Sequence, residues 1–160
     1  MAASIESSGD LDKIDLKILN ALQIDGRISN LKLAESVALS PTAVLARTQR
    51  LQREGFIVGF EARLNPAKLG RGLTVFVEVL LDRTTPQVFD LFNAAAQARP
   101  EILECHMVAG GFDYLLKTRV RDMAAYREFA GNALWQLPGV RETRTYAVMQ
   151  EVKETTRLVL

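Results

Sequence analysis

The chain has 160 residues, 48% of them hydrophobic and 24% charged, with 20 basic against 19 acidic side chains and a net charge of +1. Such a balance belongs to a folded protein of one or two small domains and excludes wholesale disorder. One cysteine, Cys105, allows no internal disulfide, and the opening MAASIESSGD lacks the cationic start and apolar run of a signal peptide, so a cytoplasmic protein without membrane spans is expected.

Residues 1–10 read as a flexible arm, with only Ile5 to bury. Asp12 is placed to cap a first helix in which Ile14, Ile18, Ala21 and Leu22 share a face, ending at the turn-like Asp25-Gly26. Ser29 or Asn30 opens a short second helix through Leu33, Ala34 and Val37, with Lys32 standing where a capping box would want Glu or Gln. About three residues further on, Ser40-Pro41 is a strong start signal for a third helix: the hydroxyl accepts from an orphan amide, and proline at the first helical position sacrifices no needed donor.

In that third helix Val44, Thr48 and Leu51 fall on one face of a 3.6-residue period, the face to be buried. Thr42, Ala46, Gln49 and Arg53 lie opposite, with Ala43, Arg47 and Arg50 along one flank. Residues 40–53 carry Arg47, Arg50 and Arg53 and no acid, so the positive charge is concentrated here. Small residues near the start let the backbone approach a surface closely, and Thr, Gln and Arg reach base edges and phosphates. An ordinary solvated amphipathic helix would show the same pattern in isolation. Three helices with a tight turn between the last two, however, make a helix-turn-helix with the cationic helix third. The candidate DNA contacts are Ser40, Thr42, Ala43, Ala46, Arg47, Gln49, Arg50 and Arg53. Gly55 then ends the helix, and the alternation of Phe56, Val58, Phe60, Ala62 and Leu64 predicts an extended segment that would serve as a wing. The expected DNA-binding domain therefore covers residues 11–64, and NPAKLGRG at 65–72 is its linker.

The second half changes period. Residues 73–81, LTVFVEVLL, form a strand with Val75, Val77, Val79 and Leu81 on one face and Phe76 and Leu80 on the other, both expected to be covered. Thr85-Pro86 opens a helix striped with Phe89, Phe92 and Ala96, and Pro100 marks its limit. Residues 102–108 and 114–120 read as antiparallel strands joined by Ala109-Gly110-Gly111-Phe112-Asp113, a connection rich in positions free to take positive φ. Asp122 caps a helix with Met123, Tyr126, Phe129 or Ala130, and Ala133 or Leu134 inward, and Pro138-Gly139 stops it before a strand at 141–149. The order βαββαβ is that of a ferredoxin-like unit, with both helices on one face of a four-stranded sheet. Its other face would meet a second copy, giving a homodimer with two reading helices at fixed spacing. The end of the chain, from Val152, is read as a possible added edge strand of this 73–160 domain.

Cys105 and His106 would point to opposite faces of a strand and are read as packing residues, not metal ligands. Neither paired carboxylates nor a nucleophile with its base stands out, so no enzyme activity and no cofactor are expected.

The chain resembles the Lrp/AsnC, or feast/famine, transcription regulators over nearly its whole length. The resemblance is carried by LDKIDLKIL from Leu11, DGRIS from Asp25, LSPTAVLARTQRLQREGFI from Leu39 and the Gly110, Asp113, Tyr114 pattern of the effector domain. Further matching runs are FDYLLKTRVRDMAAYR, LPGVRETRTYAVMQEVK and the RLVL ending. Departures are Ala46, where many members have Glu or Arg, and Gly111 and Trp135. The resemblance implies an α+β chain with a winged helix-turn-helix domain and a ferredoxin-like effector domain. It further implies a dimer that assembles further, often to an octamer, binds double-stranded DNA and is modulated by an amino acid. Leucine or another branched-chain amino acid comes first, with glutamine, methionine and lysine open. The family's ligand lies by the 110–113 connection, where free backbone amides suit a carboxylate and Asp113 an ammonium. The bland reading is that the glycines make a hairpin turn and Asp113 accepts turn amides. Gly110, Gly111, Phe112 and Asp113 are thus the effector candidates, with Met123, Trp135 and Tyr146 as an apolar lining. The competing function is an amino-acid-sensing module that binds protein instead of specific DNA.

Overall fold

The computed structural model describes residues 11–160; the arm expected over residues 1–10 lies outside the described residues. The described residues divide into two compact units, 11–63 with 154–160, and 64–153.

The first unit holds α1 (Lys13–Ile24), α2 (Asn30–Val37) and α3 (Pro41–Arg53). Each starts where a side chain satisfies orphan amides. Asp12 accepts from the amides of Ile14 and Asp15, and Asp15 reaches back to the Asp12 amide, a capping box built from two aspartates. Ser29 accepts from the Lys32 amide and Ser40 from that of Ala43, with Pro41 in the first turn of α3. Between α2 and α3 the chain turns on Ala38, whose φ of 56° is the one positive value at a non-glycine among the described residues. Asn30 Nδ2 donates to the Pro41 carbonyl at 2.7 Å, tying the starts of the two helices together. Ile18, Leu33, Ala34, Val37, Val44 and Leu51 form the core.

Beyond α3, Gly55 takes positive φ as expected. The expected wing is not seen among the described residues of one chain: residues 57–65 form no strand, and Val58 stands almost fully exposed. The alternation there does not by itself make a wing, since a strand forms only when a neighbour completes its ladder. Phe60 instead lies against Gly26, where an added Cβ would come within 3.1 Å of its ring.

The second unit is a four-stranded sheet of β1 (Leu73–Leu81), β2 (Ile102–Met107), β3 (Tyr114–Val120) and β4 (Val140–Ala147), with α4 (Pro86–Gln97), α5 (Met123–Asn132) and a 3-10 turn at Leu134–Gln136. The order is β2-β3-β1-β4 and every adjacent pair is antiparallel. Val75, Val77, Val79 and Leu81 pack with Phe92, Ala96, Tyr126 and Ala130, so both helices cover one face. Tyr114 anchors that layer, its ring 4.3 Å from that of Phe92 and its hydroxyl on Asn93 at 2.8 Å.

The opposite face is less apolar than expected. Phe76, Leu80 and Leu115 are half-buried there, and they are interleaved with charge. Lys117 pairs with Glu104 at 2.9 Å, Arg119 with Glu151 at 2.6 Å, and Tyr146 donates to Glu78 at 3.1 Å. The last residues add no strand to this sheet. Residues 154–160 group with the helical unit, where the Gln23 amide accepts from the Leu158 N–H at 2.6 Å and donates to its carbonyl at 3.2 Å.

Candidate functional site

On α3 the expected inward face is in place: Val44 and Leu51 are fully buried, and the Thr48 hydroxyl is buried without a partner among the described residues. The opposite face presents Ser40, Thr42, Ala46, Gln49 and Arg53 to solvent, with Ala43 half-buried beside them. Its flank differs from expectation. Arg47 and Arg50 do not stand free but bend onto α1. Arg47 meets Asp12 at 2.7 Å and Asp15 at 2.8 Å; Arg50 meets Asp15 at 2.5 Å and Glu54 at 3.3 Å.

Asp15 is the centre of this arrangement. It is 1% exposed, one oxygen faces each guanidinium, and the oxygen toward Arg50 also accepts the Asp12 amide at 3.1 Å. Burial pushes its carboxyl up, but hydrogen bonds from Arg50, Arg47 and that amide outweigh it and leave Asp15 below the ordinary aspartate range. Asp12 is lowered too, by the Asp15 amide first and then by Arg47. The concentrated charge of the helix is therefore mostly answered inside the unit, and Arg53 is the α3 arginine left facing water.

The partner residues Asp12, Asp15 and Glu54 were not among the expected contacts. A signal for Asp15 exists in the sequence: with Ile18, Leu19 and Leu22 it makes an i, i+3, i+4, i+7 stripe, and a carboxylate on a buried stripe requires a cation or donors.

The connection from Met107 to Tyr114 closes through Val108 N–H to the Asp113 carbonyl and Asp113 N–H to that of Val79, each 3.0 Å. Gly110 and Gly111 are exposed; neither takes positive φ, and a Cβ on either would meet nothing within 4 Å. The freedom to take positive φ is thus not used at either position, and the fold of this chain does not itself demand those glycines. Asp113 has a structural task. Its Oδ2 accepts the Leu81 N–H at 2.8 Å, at the point where the β1–β4 register shifts. Phe112 is half-buried.

The remaining lining candidates do not converge on this connection within one chain. Met123 begins α5, past the far end of β3, about 20 Å from the connection by strand rise, and is exposed, not inward. Tyr146 lies on the uncovered sheet face beside Glu78, whereas Trp135 is on the helix side, its Nε1 donating to Thr143 at 3.3 Å. Helical and strand spacing placed each on a surface, but not on a common one. Cys105 packs into the helix-covered core, which raises its thiol pKa, and His106 points the other way beside Glu104 at 3.2 Å. Among the described residues, no group of three metal-ligating side chains comes together and no helix is long and apolar enough to cross a membrane.

A helix-turn-helix unit joined to a separate sheet unit is the build of a DNA-binding regulator with its own ligand-binding domain. The chain belongs to the Lrp/AsnC family: the AsnC-type helix-turn-helix model matches residues 11–52 and the Lrp/AsnC ligand binding domain model residues 74–158. It is 60% identical over 151 residues to the leucine-responsive regulatory protein of Salmonella typhimurium, covering 94% of this chain and 92% of that one. To the protein of the same name in Escherichia coli K12 it is 59% identical with the same coverage. Among solved structures it is similar to the Neisseria meningitidis transcriptional regulator NMB0573 in complex with L-Met, at 37% identity and a TM-score of 0.88, covering 94% and 97% of the two chains. This family membership makes the chain an amino-acid-responsive DNA-binding transcription regulator.

Proposed function

We propose that the outward face of α3 enters the major groove of duplex DNA, reading it with Thr42, Ala46, Gln49 and Arg53, while Ser40 and Ala43 allow the close approach. The observation that carries this is the face itself: small and polar residues with one unanswered cation, on a helix fixed by its Ser40-Pro41 start and its docking on α1 and α2. Arg47 and Arg50 enter the reading as residues that seat the helix.

The amino acid is assigned to the 109–113 connection, its carboxylate on the amides outside the ladder and its ammonium toward Asp113 Oδ1. Two glycines that the chain's own backbone does not require support this, since they leave room for another molecule to approach. Leucine is the first candidate, because the similar proteins of S. typhimurium and E. coli are named leucine-responsive; methionine is second, from the solved N. meningitidis complex. The half-buried Phe76, Leu80 and Leu115 are assigned to a homodimer contact, with octamers built from dimers. The working compartment is the cytoplasm, and no catalytic role is assigned.

The test is a gel shift on the protein's own upstream region, with and without leucine. Binding above that to random duplex, changed by leucine, is expected. Equal affinity for both duplexes would instead favour a sensing module that binds other proteins.

A further inference from the structure

We propose that Asp15 limits sequence-independent DNA binding: held inside the helical unit, it keeps Arg47 and Arg50 engaged and away from phosphates. The proposal rests on the reading that α3 faces DNA and adds a residue on α1 that sets how strongly it does so.

Two guanidiniums sit among three carboxylates, Asp12, Asp15 and Glu54, at separations of 2.5–3.3 Å. Asp15 cannot turn away to release them, since it is 1% exposed and both its oxygens are occupied. An arginine contributes to DNA affinity by neutralising a phosphate and releasing its counterion, and one already neutralised by a buried carboxylate has little left to contribute. Sequence-independent affinity comes almost wholly from such contacts, whereas Thr42 and Gln49 act on base edges. A chain that carried Arg47, Arg50 and Arg53 all free would hold any duplex more tightly without reading it better. The flank on which Arg47 and Arg50 lie adjoins the outward face, so once released both would reach the backbone beside the groove.

The experiment measures the affinity of the full-length protein for a random-sequence duplex across a salt series. Asp15→Asn keeps the shape and removes the charge. It is expected to raise affinity for random duplex roughly three- to tenfold at ~0.1 M salt and to steepen the log–log salt slope by about 1 to 2 units. An unchanged or flatter slope with a native circular dichroism spectrum overturns the proposal. Should Asp15→Asn not fold, Arg47→Gln and Arg50→Gln, which keep a hydrogen bond to Asp15, decide it. The proposal expects slopes within about half a unit of wild type, and a loss of about one unit in either overturns it. Arg53→Gln is measured alongside. If it flattens the slope while Asp15→Asn does nothing, only the role of Asp15 falls; if Arg53→Gln and Gln49→Ala both leave binding unchanged, the α3 reading itself falls.

Discussion

The two units of this chain solve opposite problems. The sheet unit is held by a broad apolar layer, Val75, Val77, Val79, Leu81, Phe92 and Leu116 among others, and the ion pairs Lys117–Glu104 and Arg119–Glu151 lie on the uncovered face. The helical unit has a much smaller apolar core and seats α3 on α1 partly through a buried carboxylate. Apolar packing tolerates changes of pH and salt, whereas a buried ion pair gives geometry and charge control at the cost of dependence on protonation. The unit that carries the helix-turn-helix is thus the one fixed in part by polar contacts.

The largest separation between the units should come from Phe92→Ala. It empties a fully buried ring site against Tyr114 and should destabilise the sheet unit by about 3–5 kcal/mol, with the helical unit's transition unmoved in a thermal melt followed by far- and near-ultraviolet circular dichroism. Asp15→Ala should act the other way round. The loss should be about 2–3 kcal/mol, below what a fully buried pair costs, because Arg47 and Arg50 keep 31% and 28% of their side chains exposed and turn to water.

Acid should sharpen the same contrast. The folded pKa of Asp15 is lowered, so its contribution is fully present above the unfolded value of about 3.9 and is lost as pH falls below it, through the folded pKa. Denaturant titrations from pH 6 down to pH 2.5 should show the helical unit weakening in that window in wild type, and much less so in Asp15→Asn. Glu104 and Glu151 in the sheet unit are also lowered, by Lys117 and by Thr74 in the first place, but both are substantially exposed and their effect is screened.

The smallest effects are stabilising. Thr48→Val replaces a buried hydroxyl without a partner, and Ala38→Gly relieves an alanine at φ 56°. Each should add up to about 1 kcal/mol to the helical unit in denaturant titration.

What the sequence shows depends on how local the cause is. Helix starts were legible because Asp12, Ser29, Ser40, Thr85 and Asp122 act on amides two or three residues away. β1 was legible from its period and β2 and β3 from the short glycine-rich connection between them, and the βαββαβ order then left one sheet topology to expect. The outward face of α3 followed from 3.6-residue geometry alone. The pairs Asp15–Arg47 and Asp15–Arg50 join residues more than thirty positions apart, so counting charge along residues 40–53 overstated the free charge of the helix. The expected wing strand is not seen within one chain because β structure needs a partner that no single segment specifies. Met123, Trp135 and Tyr146 do not meet within one chain for a related reason: period assigns a face, and only the fold assigns an end of the sheet. Asp113 reads in the sequence as an effector contact with a turn role as the alternative, and its bond to Leu81 is not legible there because it depends on the register shift in β1.

The central claim is that α3 meets DNA with its outward face while its flank is held by α1. It is tested most directly by comparing the salt dependence of binding to the protein's own upstream duplex for Arg53→Gln and Arg50→Gln. The account predicts that Arg53→Gln lowers the log–log slope by about one unit and that Arg50→Gln leaves it as in wild type. The reverse, a loss of about one unit for Arg50→Gln and none for Arg53→Gln, would contradict it.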